Sequence, residues 1–573
     1  MKDKEEFFGL LSEIDGRDVA EYARIIGDFD FSRYIVKISR VPAEAEGSTT
    51  LFVVRVPQSV ADFPPHLHNT PIRRTALEDL LTRKVASAIE TLAVFNEEGI
   101  SRRRLAIAAP GQKILPRSSL LMAEDFVEAR LIVSLPARRG RILGDEARDV
   151  FFRELPAIVN ASLIYCNLDE REIDQFVDLM EDADAIRQAL PTRGLISFVG
   201  ESAFLTRLDN SDKPDYNRDI PFTVPEEMRV ELEVPNAGSV RGLGIPTGIT
   251  VILGDAYSGR AELMKALAAG IYNHIPGDGR EYVITMPDAV YVAAEDRRSV
   301  QRVDISAFVR QNPAGRDVKQ YTTTHADPCA AQAAATVEAL EVGARALFLD
   351  ESDSNSGFLC QDSRLKGLAS GADPRFIPLS ARARQMADEL GVSLVVAGAS
   401  SVTEFIPVAD TVLRIDNHQV FDVTKEAKQL AIQPADLKPE AADVTRLVER
   451  SRWVVPSSID PSEGRHDAVI AAAGVDQLQF GSSFIDLKGV VQLADENQTS
   501  TVGLILYYAK VRYMDEGRPI REILDLVDRD LSTEGLECLT RDLRGDLARP
   551  RRYEIAAALN RLKTLRVSRS AAE

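Results

Sequence analysis

Residues 248–270 read GITVILGDAYSGRAELMKALAAG, and this stretch decides the fold of the chain. The run 249–253 is apolar apart from one threonine, and it stops at Gly254. A second glycine, Gly259, follows five residues later, and a helical pattern of apolar residues runs over 261–269. This order of strand, glycine turn and helix predicts one unit of a parallel sheet covered by helices.

Three further apolar runs support the same architecture. They cover residues 344–351, 392–398 and 411–415, and the first of them ends in Asp350 and Glu351. Apolar strands separated by helical segments indicate an α/β fold with a mostly parallel sheet. Ligands bind such sheets at the carboxyl ends of the strands, so we expect a site where these strands end.

The two glycines have the spacing of a phosphate-binding loop, G-x-x-x-x-G-K-S/T. In such a P-loop, backbone N–H groups cradle phosphates, the lysine reaches the β and γ oxygens, and the hydroxyl holds Mg²⁺. Here the lysine position holds Arg260 and the hydroxyl position holds Ala261. The candidate nucleotide-binding residues are therefore Gly254, Gly259, Arg260 and Ala261.

The strand that ends in Asp350 and Glu351 fits the second half of a nucleotide site. Asp350 is the candidate Mg²⁺ ligand, and Glu351 is the candidate catalytic residue that polarises the attacking water. Many solvent-facing strands end in two acids, so this segment alone is a weak signal. Its position about 90 residues after the P-loop makes the pair more informative.

Composition sets the class of protein. The chain has 573 residues, with 69 Lys and Arg against 88 Asp and Glu, which gives a formal net charge of −19. Hydrophobic residues make up 45% and charged residues 27%, values typical of a globular protein rather than a disordered or fibrous one. The net charge argues against binding of nucleic-acid phosphates by the surface as a whole, because that mode needs a cationic footprint.

Several classes are excluded or disfavoured by short patterns. The four cysteines show no C-x-x-C spacing, so neither a disulfide framework nor a zinc ribbon is predicted. The N-terminus has no apolar signal region, and no run approaches a membrane span, so we expect a cytoplasmic protein without membrane contact. His66 and His68 lack a third ligand nearby, and Cys329 is expected to be an apolar filler rather than a nucleophile.

The chain is predicted to have three regions. An N-terminal α+β region covers 1–235 and includes a strand over 51–56 and a helix over 75–92, whose start is assigned to a capping box of Thr75 and Glu78. The α/β core covers 236–428. A mainly helical region covers 429–573 and carries a basic segment with Arg551, Arg552, Arg561, Arg566 and Arg569 among its residues.

Longer segments resemble a known family. The segments are GIYNHIPGDGRE at 270–281, AEDRR at 294–298, LPARRGRILG at 135–144 and PRRYEIAAALNRL at 550–562. In this order they are similar to the predicted ATPases of the ABC class, and the resemblance covers nearly the whole chain. It implies an ABC-type P-loop core with family-specific N- and C-terminal regions, ATP and Mg²⁺ as cofactors, and a homodimer formed through the core. It also implies that His274 braces its segment.

The departures from the family concern the chemistry. The family's loop reads G-G-G-Y-H-G-K-S-T. In this chain Arg260 replaces the lysine, Ala261 replaces the serine, and acids stand at Asp255 and Glu262. Its signature segment, S-G-S-T-S-Q-A-A, is replaced by DPCAAQAA at 327–334, which has no hydroxyl, and Pro328 has no N–H to donate. The family's N-terminal block V-Q-G-D-P-F-A is replaced by VPAEAE at 41–46.

Three functional hypotheses follow. The first is an ABC-class ATPase-fold protein that partly retains the ATP site, has lost or weak hydrolysis, and acts as a scaffold or regulator, in other words a pseudo-ATPase with a degenerate Walker A motif. The second is an active, divergent ATPase in which Arg260 contacts phosphates in a homodimer. The third is an RNA-binding module that uses the C-terminal arginines Arg551, Arg552, Arg561 and Arg566.

Overall fold

The computed structural model describes most of the chain. The described residues are 1–41, 49–92, 94–95, 101–102, 104–208, 211–217, 220–311, 315–360, 375–431, 444–449, 451–515 and 517–568. The replaced block at 42–46 and Arg569 lie outside them. Among the described residues, no helix combines the length and apolar character that crossing a membrane requires.

The chain forms two compact units. The first contains Met1–Glu181 and Leu536–Arg549, and the second contains Asp182–Gly535 and Pro550–Glu573. The second unit therefore holds the strands and turns expected to build the site. The three-region division at 235 and 428 stays a prediction.

A six-stranded sheet forms the core of the second unit. Five neighbouring strands are parallel and the last pairs antiparallel, which confirms the predicted α/β class. Their order across the sheet is Ala289–Tyr291, Ala346–Asp350, Ser393–Gly398, Ile249–Leu253, Thr411–Asp416 and Gln419–Asp422. In the three strands Ile249–Leu253, Ala346–Asp350 and Ser393–Gly398 almost every residue is buried, because helices cover both faces of such a sheet.

The order of the strands brings the predicted site residues to one edge. Strand Ser393–Gly398 lies between strand Ile249–Leu253 and strand Ala346–Asp350, with Leu253 opposite Gly398 and Asp350 opposite Ala397. The carboxyl ends of all three strands therefore meet. The helices that accompany this sheet are Arg260–Ala269, Pro328–Glu341, Ser356–Leu359, Ala383–Leu390 and Thr424–Leu430.

A second, antiparallel sheet of four strands belongs to the same unit. Its strands, in spatial order, are Arg229–Val234, Gly238–Pro246, Leu195–Gly200 and Val283–Thr285. It packs against the end of helix Glu170–Ala189 through a buried apolar cluster that includes Ala183, Ile186, Leu190, Phe198 and Ile284. A short pair of strands, Val300–Val303 and Tyr321–Thr323, completes this part.

The C-terminal part is helical, as predicted, but it also contains a sheet. The helices are Arg446–Glu449, Glu496–Arg512, Ile520–Thr533 and Arg552–Arg561. Three antiparallel strands, Ile470–Ala472, Gln477–Phe480 and Ser483–Asp486, lie before the long helix, and Trp453–Val454 pairs with Val567–Ser568.

The first unit is built on a mixed sheet. Its strands are Lys2–Asp3, Gly27–Asp30, Ile35–Ile38, Thr49–Pro57, Phe126–Ser134, Leu105–Ala106 and Leu120–Met122, and two short hairpins pair Ala137–Arg138 with Arg141–Ile142 and Val94–Phe95 with Ser101–Arg102. Its helices are Lys4–Glu13, Gln58–Ala61, Pro71–Thr91, Gly144–Asp149, Leu155–Ser162 and most of Glu170–Ala189, with a π-helical turn at Val150–Glu154.

One predicted helix start in this unit is wrong. The helix begins at Pro71, and Thr70 rather than Thr75 is its cap, with the Thr70 hydroxyl accepting the N–H of Arg73. Proline at the first helical position is preorganised for a helix start and loses no hydrogen bond there, which favours this earlier cap. Glu78 accepts the backbone N–H of Met122 at 2.9 Å instead of closing a capping box.

Candidate functional site

The loop from Gly254 to Gly259 connects the strand Ile249–Leu253 to the helix Arg260–Ala269, as a P-loop does. Both glycines are required by its geometry. A Cβ atom on Gly254 would lie 2.5 Å from Ser258 Oγ, and Gly259 has a φ of +96° with the His418 ring 3.0 Å from where a Cβ would be. The sequence therefore keeps the form of a phosphate-binding loop.

Arg260 fills the space between this loop and the neighbouring carboxylates. Its Nη1 donates to the Gly254 carbonyl oxygen at 2.8 Å and lies 3.8 Å from Glu351 Oε2, while its Nη2 lies 3.5 Å from Asp350 Oδ1. The side chain is only 12% exposed. The guanidinium thus turns back onto its own loop and onto both acids.

Asp350 is held by groups next to it in the chain. Its carboxylate is almost fully buried, and Oδ1 accepts hydrogen bonds from the Ser352 N–H at 2.9 Å and the Ser352 hydroxyl at 2.6 Å. Ser352 therefore serves as a double donor to Asp350. Oδ2 has no hydrogen-bond partner among the described residues, so Arg260 is the positive charge that compensates this buried group.

Glu351 is engaged on the side of the adjacent strand. Its Oε2 accepts the backbone N–H of Ala399 at 2.6 Å, directly after the strand Ser393–Gly398. Partial burial by itself raises the pKa of this carboxyl, but the hydrogen bond from Ala399, the nearby polar groups of Ser401 and the charge of Arg260 outweigh it and lower the pKa overall. Glu351 is therefore ionised at neutral pH and already paired.

The donor set does not fit Mg²⁺. The hydroxyl that a P-loop supplies is replaced by Ala261, and Asp350 Oδ1 is occupied by Ser352. A guanidinium stands within 4 Å of both acids, where it repels a divalent cation. The two further carboxylates at Asp255, which is exposed, and Glu262, in the first turn of the helix, also oppose an anionic ligand.

The signature position forms the start of the helix Pro328–Glu341. Asp327 is its N-cap, and the Asp327 carboxylate accepts the N–H of Ala330 at 3.0 Å. This carboxylate already compensates the positive end of the helix dipole, where the family's signature would meet a phosphate. Cys329 is buried, and burial raises its pKa to about 12, so the thiol stays protonated, in agreement with its assignment as an apolar filler.

His274 supports its segment. Its Nδ1 lies 2.7 Å from Asp278 Oδ2, and the same carboxylate binds Arg207 at 2.6 Å, with His274 and Asp278 fully buried. This ties the turn after the first core helix together, as the prediction for His274 states. Among the described residues there is no cluster of three metal-ligating side chains, so nothing joins His66 and His68 to a third ligand.

The C-terminal arginines are largely neutralised within the second unit. Arg566 is the exception, since within the described part of the chain its guanidinium has only a long contact of 3.5 Å to the Ser457 hydroxyl. The other three pair with carboxylates: Arg551 with Glu554, Arg552 with Asp525, and Arg561 with Glu295. Arginines that are committed to internal carboxylates do not form a free cationic groove, so this geometry does not favour the RNA hypothesis.

Sequence reasoning named residues that the fold brings together at the sheet edge, but it missed the group that holds Glu351. Ala399, whose N–H donates to Glu351, lies 48 positions further along the chain and carries no motif. Gly398 was the available signal. A Cβ atom on Gly398 would lie 2.7 Å from Glu351 Oε2, so a glycine at this strand end permits the close approach.

Matches to family models agree with the site. A strand, glycine loop and helix at the edge of a parallel sheet define the P-loop class of proteins. The model described as a P-loop domain matches residues 169–450, and the model described as ATPase of the ABC class N-terminal matches residues 4–166. The chain belongs to the family of ATPases of the ABC class. A third model, MRB1590 C-terminal domain, matches residues 469–568.

Individual proteins are similar over shorter stretches. The uncharacterized protein MJ1628 of Methanocaldococcus jannaschii is 30% identical over 138 residues, which are 23% of this chain and 31% of that protein. The chain thus spans about a third of the length of this curated relative.

Two solved structures match the chain at low similarity. The ADP conformation of MJ1267, an ATP-binding cassette of an ABC transporter, has a TM-score of 0.24 and 10% identity, covering 42% of this chain and 96% of that one. The cbiO1 protein of Clostridium perfringens, part of the ABC transporter complex cbiONQ, has a TM-score of 0.22 and 14% identity, covering 40% and 87%. Because both TM-scores are below 0.5, the family assignment rests on the family models.

Proposed function

We propose that this chain is a pseudo-ATPase of the ABC class that acts as a scaffold or regulator, with Arg260 serving as an internal counter-ion in the nucleotide site. The observation that carries the proposal is the position of the guanidinium, within 4 Å of both Asp350 and Glu351 and hydrogen-bonded to Gly254. A positive charge in this position does for the two acids what Mg²⁺ does in an active site, without supplying an open coordination position.

The proposed loss of hydrolysis follows from the contacts of Glu351 and from the residues that begin the signature helix. A carboxylate that polarises water must direct an oxygen at that water, but Glu351 Oε2 already accepts the Ala399 N–H and lies 3.8 Å from the Arg260 guanidinium. The other source of transition-state stabilisation, the signature helix, begins with an aspartate and a proline. The first change engages the acceptor that would take a proton from water, and the second removes donors from the place where negative charge develops during phosphoryl transfer.

ATP turnover tests this proposal directly. Wild-type protein with ATP and Mg²⁺ is expected to give no rate above the protein-free background, and Glu351→Gln is expected to give the same result. Lys265→Gln is the matched control, because Lys265 is an exposed cation on the same helix as Arg260. A wild-type rate that is abolished by Glu351→Gln and kept by Lys265→Gln contradicts the proposal.

An active, divergent ATPase is the second candidate, and one observation favours it. The lowered pKa of Glu351 keeps this carboxylate ionised, as a water-polarising residue must be at neutral pH. In that case Arg260 leaves the acids and contacts phosphates when nucleotide binds. Isothermal titration with ATP tests this candidate: absence of heat at high micromolar nucleotide removes it, whereas micromolar binding that Arg260→Ala abolishes supports the contact of Arg260 with phosphates.

The oligomeric state is part of the same proposal. The family resemblance supports a homodimer formed through the core. A stable dimer is sufficient for a role as a scaffold, which does not require ATP hydrolysis. Light scattering after size exclusion, with and without ATP, measures the mass of the assembly against the 63.0 kDa of one chain. A monomer under both conditions contradicts the dimer and leaves the assignment of the site to Arg260 unaffected.

A further inference from the structure

The N-terminal unit contains a cleft that has no part in the P-loop site. It has a volume of about 220 Å³ and is lined by residues that include Lys4, Phe31, Arg33, Tyr34 and Phe152. We call it the N-terminal cleft. Its walls combine aromatic rings with two cations, which is the combination that small-molecule pockets use to bind a flat body and fix its orientation.

The apolar wall is made of three rings. Phe31 and Tyr34 are stacked, with ring centroids 5.2 Å apart and planes inclined by 15°. Phe152, which is half-buried, has its ring centroid 5.4 Å from that of Phe31. Flat ring systems gain most from such walls, because aromatic pairs prefer offset-stacked or edge-to-face contact.

The cations of the cleft are uncompensated. Lys4 and Arg33 are both exposed, and within the described part of the chain neither has a carboxylate within 4 Å. Among the described residues, the Arg33 guanidinium donates only to the side-chain oxygen of Asn160, at 3.4 Å. In a chain with 19 more acids than bases, two unpaired cations at one cleft indicate a place for an external anion.

Tyr34 adds a donor inside the cleft. Its side chain is 6% exposed, and its hydroxyl has no hydrogen-bond partner among the described residues. Burial raises the pKa of this phenol, so the hydroxyl keeps its proton at neutral pH and is available to donate. A buried hydroxyl without a partner is costly, and a bound acceptor would remove that cost.

The turn that carries these residues is fixed before any ligand binds. Phe31 N–H donates to the Tyr34 carbonyl oxygen at 2.9 Å, and Ser32 N–H donates to Asp30 Oδ1 at 2.7 Å. Ser32 accordingly takes the left-handed conformation, with a φ of 67°. The hairpin between strands Gly27–Asp30 and Ile35–Ile38 is thus preorganised, which lowers the entropy lost on binding.

We propose that the N-terminal cleft binds a small planar anion, a flat ring that carries one phosphate or carboxylate. The ring packs against Phe31 and Phe152, the anionic group pairs with Lys4 and Arg33, and the Tyr34 hydroxyl donates to an oxygen of the ligand. A nucleoside monophosphate and an aromatic carboxylate both have this chemistry.

Isothermal titration of the full chain with four probes tests the proposal. The probes are AMP, anthranilate, inorganic phosphate and adenosine. Binding of AMP or anthranilate at least ten times tighter than either fragment is expected, and the tighter of the two identifies the source of the anion. Equal binding of phosphate and AMP, or no binding of any probe at millimolar concentration, overturns the proposal.

Two variants locate the binding. Arg33→Gln is expected to weaken the tighter probe at least tenfold, and Tyr34→Phe about three- to tenfold, the range for loss of one hydrogen bond. Arg138→Gln, an exposed arginine of the same unit, and Arg260→Ala are the controls, and both are expected to leave the affinity unchanged. Weakening by Arg260→Ala with no effect of Arg33→Gln assigns the binding to the P-loop instead and overturns the proposal. Tyr34→Phe removes a single oxygen, so it keeps the test valid if Arg33→Gln fails to fold.

Discussion

The edge of the core sheet and the N-terminal cleft differ in whether their charged side chains are compensated within the chain. At the edge, two acids have a cation from the same chain within 4 Å, and the cation is itself hydrogen-bonded to the loop. In the cleft, two cations and a buried hydroxyl have no such compensation among the described residues. A motif therefore does not by itself show that a ligand binds, whereas uncompensated polar groups indicate a place where a ligand would be stabilised.

Removing Arg260 tests the compensated region most strongly. Arg260→Ala leaves Asp350 and Glu351 without their cation, and we expect the free energy of unfolding of the second unit to fall by about 2 kcal/mol. This is less than the roughly 3–5 kcal/mol of a fully buried pair, because Glu351 is 30% exposed. Urea unfolding followed by the fluorescence of Trp453, the single tryptophan, measures the change in that unit.

The same variant sharpens the comparison through its response to Mg²⁺. Arg260→Ala is expected to regain part of the lost stability in millimolar Mg²⁺, because two acids without a cation attract one. Wild-type protein is expected to show no such gain. Lys265→Ala, on the exposed face of the same helix, is the control and should change stability by less than about 0.5 kcal/mol. If Arg260→Ala also lowered the stability by less than about 0.5 kcal/mol, the pairing of Arg260 with the two acids would not contribute to stability.

The next largest effect is expected from restoring the P-loop motif. The double variant Arg260→Lys with Ala261→Ser returns the lysine and the Mg²⁺ hydroxyl to the loop, and we expect it to bind ATP at least ten times tighter than wild type. A tenfold change corresponds to about 1.4 kcal/mol. Isothermal titration with ATP and Mg²⁺ measures it. Unchanged affinity would place the defect elsewhere, with Asp255 and Glu262 the first residues to replace.

A pH series tests the state of Glu351. Since its pKa in the folded protein is lowered from 4.5, this group stabilises the fold fully above that pH and loses the contribution as the pH falls through the folded value. Glu351→Gln is therefore expected to show a shallower loss of stability between about pH 5 and pH 3. Glu389→Gln, an exposed carboxylate of the same unit, should keep the wild-type slope.

The smallest expected effect lies in the cleft. Tyr34→Phe removes a hydroxyl that has no partner among the described residues, so we expect ligand-free stability to stay the same or rise by up to about 1 kcal/mol. Calorimetry of the full chain follows the transition of the first unit. A decrease larger than about 1 kcal/mol would mean that the hydroxyl is already bonded within the protein, and the contrast between the two regions would then fail.

The sequence predicted the core of the fold well because its signals are local. The runs that end at Gly254, Asp350 and Gly398 are apolar and bounded by glycine or acid, and each became a strand within one or two residues of the expected limits. The helix start at Thr75 failed for a reason that is also local. Two threonine caps competed, and the proline after Thr70 decided between them.

The geometry of the site was less predictable, because the direction in which a side chain points depends on partners that are distant in the sequence. Residue types alone do not reveal that Arg260 turns toward Asp350, 90 positions away, or that Glu351 is bound by the Ala399 N–H. The N-terminal cleft could not be predicted from the sequence for the same reason. Lys4, Arg33 and Phe152 carry no shared motif and line one cleft only in the folded unit.

The guanidinium of Arg260 has a consequence for how the protein responds to its surroundings. A fold that needs a bound ligand to balance its charges is stabilised by about 2.7 kcal/mol when that ligand is at a hundred times its Kd, and loses this when the supply falls. A core whose counter-ion is a side chain has no such dependence. On the proposed function, the assembly that this chain forms would persist unchanged while cellular magnesium and nucleotide levels vary, a useful property in a component whose task is to stay in place.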